Sequence, residues 1–278
     1  MTFFLGVFLA SVLAGALGAL LGLGGGIIVV PVLTVMGVNL HYAIGASIVS
    51  VIATSSGAAA TYVRDRITNL RLAMFLEIAT TTGAVAGALA AGVLPARVLS
   101  VLFGLVLAHA AWTTFRARHQ DLPQEVAPSP LATRLRLHGS YFDPALGRQV
   151  DYRVTGVPQG FGMMWLAGLV SGLLGIGSGA FKVIAMDHFM KAPLKVSTTT
   201  SNFMIGVTAA ASAGVYFFRG DINPFIAAPV ALGVLLGTVA GTRLLLRLRG
   251  RDIRKVFLVV LVILAVQMMW HGIAGGGR

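Results

Sequence analysis

Residues 172–187 read GLLGIGSGAFKVIAMD, an apolar stretch interrupted by glycines and a serine and followed at once by Lys182 and Asp187. A weaker copy, GALLGLGGGIIVVPVL, occupies residues 18–33. Glycines at Gly24, Gly25 and Gly26, and again at Gly177 and Gly179 around Ser178, would break a helix and expose the first amides of its continuation. Aligned peptide dipoles leave about half a positive charge at such an end. With no Cβ in the way, the oxygens of an anion can approach the backbone. Unpaired amides deep in hydrocarbon are costly unless a ligand, water or protein group meets them. The competing reading is close helix packing of the GxxxG kind. A dinucleotide fingerprint is excluded, because no βαβ unit surrounds the glycines.

Lys182 follows Gly179 by three residues, with apolar neighbours on both sides. Charge near a bilayer centre costs about 3 kcal/mol or more, so such a residue faces a cavity or a partner. Two readings stand: Lys182 neutralises a bound anion, or it forms a permanent pair with Glu77 or Asp187. Glu77 is the carboxylate inside the apolar run 72–96. It is a candidate for proton coupling, since burial disfavours the charged carboxylate, and equally a standing partner for Lys182. Thr199, Thr200, Ser201 and Asn202 place consecutive polar side chains at the start of an apolar helix. Two or three of them can face one ligand, and one could serve as a plain N-cap. Ser47 and Ser50 are their counterparts earlier in the chain. His41, His109 and His188 lack metal-ligand spacing, and no HExxH pair or nucleophile–base pair is visible. The reading therefore includes no metal, no cofactor and no enzyme activity.

The elements that must position these residues are membrane helices. Of 278 residues, 56% are hydrophobic and 11% charged, against roughly 25% charged in soluble domains. The chain has no cysteine, so disulfides and thiolate metal sites are excluded. Its thirty-five glycines suit closely packed membrane helices. The net charge of +12 does not point to nucleic acid, because the basic residues sit at the ends of apolar segments. There they act as an orientation signal, and the run at 243–255 suits anionic lipid headgroups. The first apolar stretch lacks a positive leader and is read as retained. Apolar runs long enough to cross, about 20 residues, lie at 43–63, 72–96, 98–115, 196–218, 222–242 and 256–275. Segments 3–38 and 157–190 are too long for one crossing. As continuous helices they would reach about 50 Å, against a core of about 30 Å. Both carry the glycine clusters, so each is expected to be two helical pieces joined at a glycine tip.

The halves repeat. After the glycine clusters, GAS at 45–47 matches TTS at 199–201, and YVRDRITN at 62–69 echoes YFFRGDINP at 216–224. If each broken segment crosses an even number of times, every basic residue falls on one face except Arg97, Arg219, Arg278 and the internal Lys182. The positive-inside rule prefers that arrangement. It makes the repeats inverted, an architecture common in secondary transporters, with both termini outside the cytoplasm. The expected fold is an all-α polytopic membrane protein of two inverted repeats. Each repeat has a glycine-broken helix pair plus three transmembrane helices. Repeat 1 spans 1–116, a cytoplasmic insert 117–157 and repeat 2 158–278. In the insert, Leu135 and Leu137, then Val150, Tyr152 and Val154, alternate with polar neighbours, and Asp143-Pro144 and Gly147 supply turn chemistry. A small β-hairpin is expected, resting on the membrane domain or a partner because it is marginal alone.

The duplicated glycine-rich segment, each copy followed by a GTS-like triplet opening the next helix, resembles the TauE/SafE family of membrane proteins. Its named members are proposed exporters or importers of sulfite and small organosulfonates. The resemblance covers nearly the whole chain apart from the insert. Its most specific part is SGLLGIGSGAFKVIAMD followed by KVSTTTSNFMIGVTAAASA; the first copy departs from the pattern with Ala46 in place of threonine. The resemblance implies a secondary transporter in the cell (inner) membrane whose partners are lipids and a small anion: sulfite, a sulfonate or a carboxylate. A P-loop is absent, so a gradient or a separate subunit would drive it. Export is favoured without coupling, since a negative-inside potential is worth about 2.3 kcal/mol per charge per 100 mV. The other class considered is a non-transporting scaffold or assembly factor, or an intramembrane enzyme. An enzyme needs a convergent nucleophile and base, and a scaffold has no use for Lys182 at depth.

Overall fold

A computed structural model describes residues 2–21, 25–64, 67–116, 126–127, 129–143, 147–245 and 250–274. Among these, eleven α-helices and one two-stranded sheet follow in order. The first half holds α1 (Thr2–Leu21), α2 (Gly26–Val35), α3 (Leu40–Arg64), α4 (Leu70–Val93) and α5 (Ala96–Arg116). The insert holds α6 (Pro130–Arg134), β1 (Gly139–Asp143) and β2 (Arg148–Tyr152). The second half holds α7 (Val157–Leu174), α8 (Gly179–Ile184) running into a π-helical turn (Ala185–Phe189), α9 (Leu194–Phe218), α10 (Pro224–Leu245) and α11 (Gly250–Ile273). Helices are what such sequence must form in lipid, where every backbone group needs an internal partner. Among the described residues, four stretches are long and apolar enough to cross a membrane, with five shorter apolar helices beside them.

The two long segments are broken where the glycines stand. Helix α1 stops at Leu21 and α2 starts at Gly26. In the second half, Gly175 (φ 66°), Gly177 (φ 72°) and Ser178 (φ 47°) turn the chain between α7 and α8. Each broken segment then closes on itself. A Cβ on Gly6 would lie 3.3 Å from the Met36 methyl, and Thr155 N–H donates to Met190 O at 3.1 Å. The end of each segment thus returns towards its beginning, as a helical hairpin.

The helices of one half pair with those of the other reciprocally. Helix α1 lies along α10, α7 along α4, and α3 and α5 pack on α9 and α11. Glycine carries the closest approaches. Gly15 of α1 faces the Val234 carbonyl of α10, and at the matching place Gly168 of α7 faces the Thr80 carbonyl of α4. Gly237 faces Val12 and Ala16, as Gly83 faces Trp165 and Leu169. Successive contacts advance together along α1 and α10 and along α4 and α7, so both pairs are parallel. In contrast Gly104 meets Met269 and Gly272 meets Val101, which makes α5 and α11 antiparallel.

The hairpin in the insert is present, with Gly139 opposite Tyr152, Tyr141 opposite Val150 and Asp143 opposite Arg148. Its first strand starts later than the alternation of Leu135 and Leu137 suggests. Ser129-Pro130 opens a short helix instead, Leu135 ends it, and Arg136 turns at φ 52°. Tyr141, Val150, Tyr152 and Val154 share one core with Leu72 and Leu76 of α4 and with Met186, Met190 and Met204. The hairpin therefore rests on the membrane domain, held chiefly by Asn69. This residue caps α4 by accepting from Leu72 N–H (3.0 Å), and its amide donates to Leu137 O (2.9 Å) and Tyr152 Oη (2.8 Å). Burial pushes the Tyr152 hydroxyl up to about 12 from an ordinary 10.0, more than the Asn69 bond lowers it. The folded state therefore holds this proton above pH 10 where the unfolded chain loses it; the contribution of Tyr152 to docking is constant below pH 10 and is lost as pH rises through 10 towards 12. Asn69→Ala loses a cap and two bonds, about 2 kcal/mol in all. The β1–β2 amides are then expected to exchange hydrogen about thirtyfold faster.

Candidate anion site at the glycine tips

The two tips meet. A Cβ placed on Gly26 would lie 3.1 Å from the carbonyl oxygen of Gly175 and 2.9 Å from Ser47 Oγ. Ser47 Oγ donates to Gly175 O at 2.8 Å, with Gly26 O at 3.3 Å as its second acceptor. At the equivalent place in the second half, Ser201 Oγ donates to Gly179 O at 3.2 Å. Each serine thus ties the helix that follows a hairpin to the first residue after that hairpin's break. Gly25 (φ 71°) and Ser178 (φ 47°) occupy the same position in the two tips, both left-handed. For serine that conformation costs about 1 kcal/mol. Ser178 is 2% exposed, and its hydroxyl has no hydrogen-bond partner.

One turn beyond the second tip, Lys182 is fully buried at 0% exposure. Its Nζ donates to Thr208 Oγ1 at 2.6 Å. Thr208 Oγ1 lies 2.7 Å from Glu77 Oε1 and 2.8 Å from Met204 O, both acceptors for its one hydrogen. Thr81 Oγ1 also donates to Glu77 Oε1, at 3.1 Å. Glu77 is 6% exposed, and its Oε2 is buried without a partner. A chain of ammonium, hydroxyl and carboxylate therefore joins α8, α9 and α4. Lys182 is linked to Glu77 through Thr208, and neither is paired with the half-buried Asp187.

The other sequence candidates are placed as follows. Gly24 lies outside the described residues, as do all the side chains of the basic run 243–255. Ser50 Oγ donates back to Ser47 O at 2.7 Å. Thr199 Oγ1 bonds back to Lys195 O at 3.0 Å. Thr200 Oγ1 accepts from Asn69 N–H at 3.2 Å, at the junction with α4. Asn202 is half-buried. Of the four consecutive polar residues, Ser201 is the one brought to the tip. His109 stacks on Phe181, with ring centroids 5.3 Å apart, and His41 bonds Ala91 O at 3.2 Å.

Two residues escaped the sequence reading. Thr208 bridges the buried charges, and Tyr216 Oη donates to Gly172 O at 2.7 Å, meeting a carbonyl at the end of α7 just before the break. A signal for both existed: Ser197, Ser201, Thr208, Ser212 and Tyr216 recur on one face of α9, and all are buried. A polar stripe on an apolar helix is a partner-seeking surface.

The Sulfite exporter TauE/SafE family matches residues 7–268 of the chain. The probable membrane transporter protein YunE of Bacillus subtilis (strain 168) is 24% identical over 271 residues, 95% of this chain and 96% of that protein. The probable membrane transporter protein YjnA of the same organism is 26% identical over 274 residues, covering 95% and 98%. The probable membrane transporter protein ORF9 of Sinorhizobium sp is 24% identical over 264 residues, covering 95% and 91%. No solved structure matches. With its apolar helices, its glycine-broken hairpins and a family match over nearly its full length, the chain belongs to the TauE/SafE family and is a multi-pass membrane transporter.

Proposed function

We propose that the protein is a secondary transporter that exports a small anion such as sulfite or an organosulfonate. It works by alternating access, with the site held between two inverted repeats, 1–116 and 158–278, and the insert 117–157 on the cytoplasmic side. The observation that carries this reading is the meeting of the two tips beside a fully buried lysine, Gly26 against Gly175 with Lys182 one turn away. The directions of the helices support inversion: each half has one helical hairpin and three further long helices, an odd number of crossings. The family description supports the outward direction and the sulfur oxyanion. Lys182 supplies the charge. Gly25, Gly26, Gly177 and Gly179 let the ligand reach the backbone, and Ser178, Ser47 and Ser201 offer hydroxyls. Ser50, Thr199, Thr200 and Asn202 lie on the two helices that follow the tips. Both termini lie outside the cytoplasm, and the cell (inner) membrane is the site of action.

The orphan hydroxyl of Ser178 supplies the test. A buried hydroxyl without a partner costs about 1–3 kcal/mol, and a left-handed serine adds to that. Ser178→Gly is therefore expected to raise the stability of the ligand-free protein by about 1 kcal/mol. Against a panel of sulfite, methanesulfonate, acetate and chloride, the wild type gains thermal stability with its anion as binding predicts. Ser178→Gly gains less at every concentration. An anion panel that leaves the wild type unmoved, or a variant that responds as fully as the wild type, rejects this assignment.

A further inference from the structure

Neither Lys182, in the second half, nor Glu77, in the first, has an ionisable counterpart in the opposite half. At the offset that places Ser47 on Ser201 and Gly83 on Gly237, the counterpart of Thr208 is Thr54 and that of Glu77 is Ala231; at the offset one residue shorter that places Gly25 on Ser178, that of Lys182 is the buried Val29. Thr54 Oγ1 bonds to its own helix, at Ser50 O (3.0 Å). The same architecture is thus built once with an ionic chain and once without it. The chain is not a requirement of the fold.

Resting on the anion-transport reading above, we propose that Glu77 is the proton site of the transporter: anion binding at Lys182 is linked to protonation of Glu77, with Thr208 as the relay between them. The atoms present define both states. With Glu77 ionised, the carboxylate draws the Thr208 hydroxyl hydrogen, because a charge-assisted bond outcompetes the neutral acceptor Met204 O. The polarised Thr208 oxygen then holds the Lys182 ammonium, and the buried chain is neutral overall. A monovalent anion entering beside Lys182 would leave one net negative charge in a low-dielectric interior, which is costly. A proton on Glu77 Oε2, the buried oxygen that no donor meets, restores neutrality. The pull on Thr208 ends, its hydrogen turns to Met204 O 2.8 Å away, and the lysine charge passes to the anion. The proton comes from solvent with the anion and returns to solvent on its release. The substrate class that fits is a singly charged oxyanion, hydrogen sulfite or a sulfonate, rather than a dianion.

Among the described residues, no other titratable side chain bonds to this pair. Helix α7, packed on α4, carries no titratable side chain. On α9 the titratable groups are Lys195 near its start and Tyr216 near its end, the latter bonded to Gly172 O. On α4 itself the other charged residue is Arg71, in its first turn. Near Lys182, the π-helical turn carries the half-buried Asp187 and the exposed His188, and α5 presents His109, stacked on Phe181.

The sign follows directly. Anion binding that takes up one proton is strongest at low pH and weakens by up to about tenfold per pH unit as pH rises. Calorimetry on the detergent-purified full chain, with sulfite and methanesulfonate in buffers of different ionisation enthalpy, counts the protons. Methanesulfonate keeps one charge throughout, so its signal reports the protein. About one proton taken up per anion is expected in the wild type. In Glu77→Gln, binding persists, proton uptake vanishes and the pH dependence flattens. Independently of any variant, the wild-type infrared difference spectrum on anion binding should gain the carbonyl band of a protonated carboxyl. An anion that binds without proton uptake and without that band overturns the linkage and leaves the anion site standing. Uptake that survives unchanged in Glu77→Gln does the same. Failure of both anions to bind the wild type overturns the transport reading together with the linkage.

Discussion

Lys182→Val is expected to unfold well below the wild type and to move no anion. The side chain it replaces is fully buried and is tied through Thr208 to a carboxylate that is itself 6% exposed. Removing one member of a buried charge pair leaves the other uncompensated, at a cost of about 3–5 kcal/mol. The equivalent place related by the repeat shows how the fold tolerates the absence of both charges, with Val29 of the first half and Ala231 of the second at the matching positions. Lys182→Val combined with Glu77→Ala is therefore expected to recover most of the lost stability, and still to carry no anion, since the charge that binds it is gone. Denaturation of the three proteins in detergent separates the two effects. A single variant as stable as the wild type would mean that Lys182 and Glu77 do not compensate one another.

The second large effect concerns packing. Gly172→Ala is expected to cost about 3 kcal/mol or more, because inserting a group into a packed interface already costs 1–3 kcal/mol where side chains can yield. Here the added Cβ would meet the backbone of Ala84, including its carbonyl. Gly168 faces Thr80 in the same way, and from the opposite helix Gly83 and Gly87 face Trp165, Leu169 and Leu173. The four glycines bring the backbones of α4 and α7 into contact, as small residues do between membrane helices. The same substitution also disturbs the carbonyl that Tyr216 holds. Gly162 in the same helix has nothing within 4 Å of a built Cβ. Gly162→Ala is accordingly expected to leave stability unchanged or to raise it by up to about 1 kcal/mol. Equal unfolding temperatures for the two variants would contradict the packing described for α4 and α7.

These examples also mark what the sequence made legible. The broken segments were readable because length conflicts with hydrocarbon thickness: 3–38 and 157–190 cannot be straight helices, and the glycine clusters say where they break. That the ends rejoin, Met36 at Gly6 and Met190 at Thr155, depends on tertiary packing and has no local signature. Glycine abundance pointed to close helix contacts, but the GxxxG pairs that make the α4–α7 contact, Gly83–Gly87 and Gly168–Gly172, lie outside the tips that drew attention. Lys182 and Glu77 stood out as charges in apolar sequence. Their pairing was one of the readings, but its route through Thr208 was hidden, because Thr208 is an ordinary residue in an apolar helix until its neighbours are known. Ser201 and Ser47 were found through the repeat. Thr200 shares the run but turns to Asn69, since consecutive helical residues point about 100° apart. In the insert, period-2 alternation found the second strand. It placed the first strand too early because Ser129-Pro130 starts a helical turn that a five-residue window does not reveal.

The most direct measurement is flux through purified protein in proteoliposomes loaded with sulfite or methanesulfonate, wild type beside the Lys182→Val, Glu77→Ala pair that keeps the fold. Saturable anion movement in the wild type and none in the folded double variant is the predicted result. Equal flux through both, or none through either while the wild type remains folded, would contradict an anion site at the meeting of the two glycine tips.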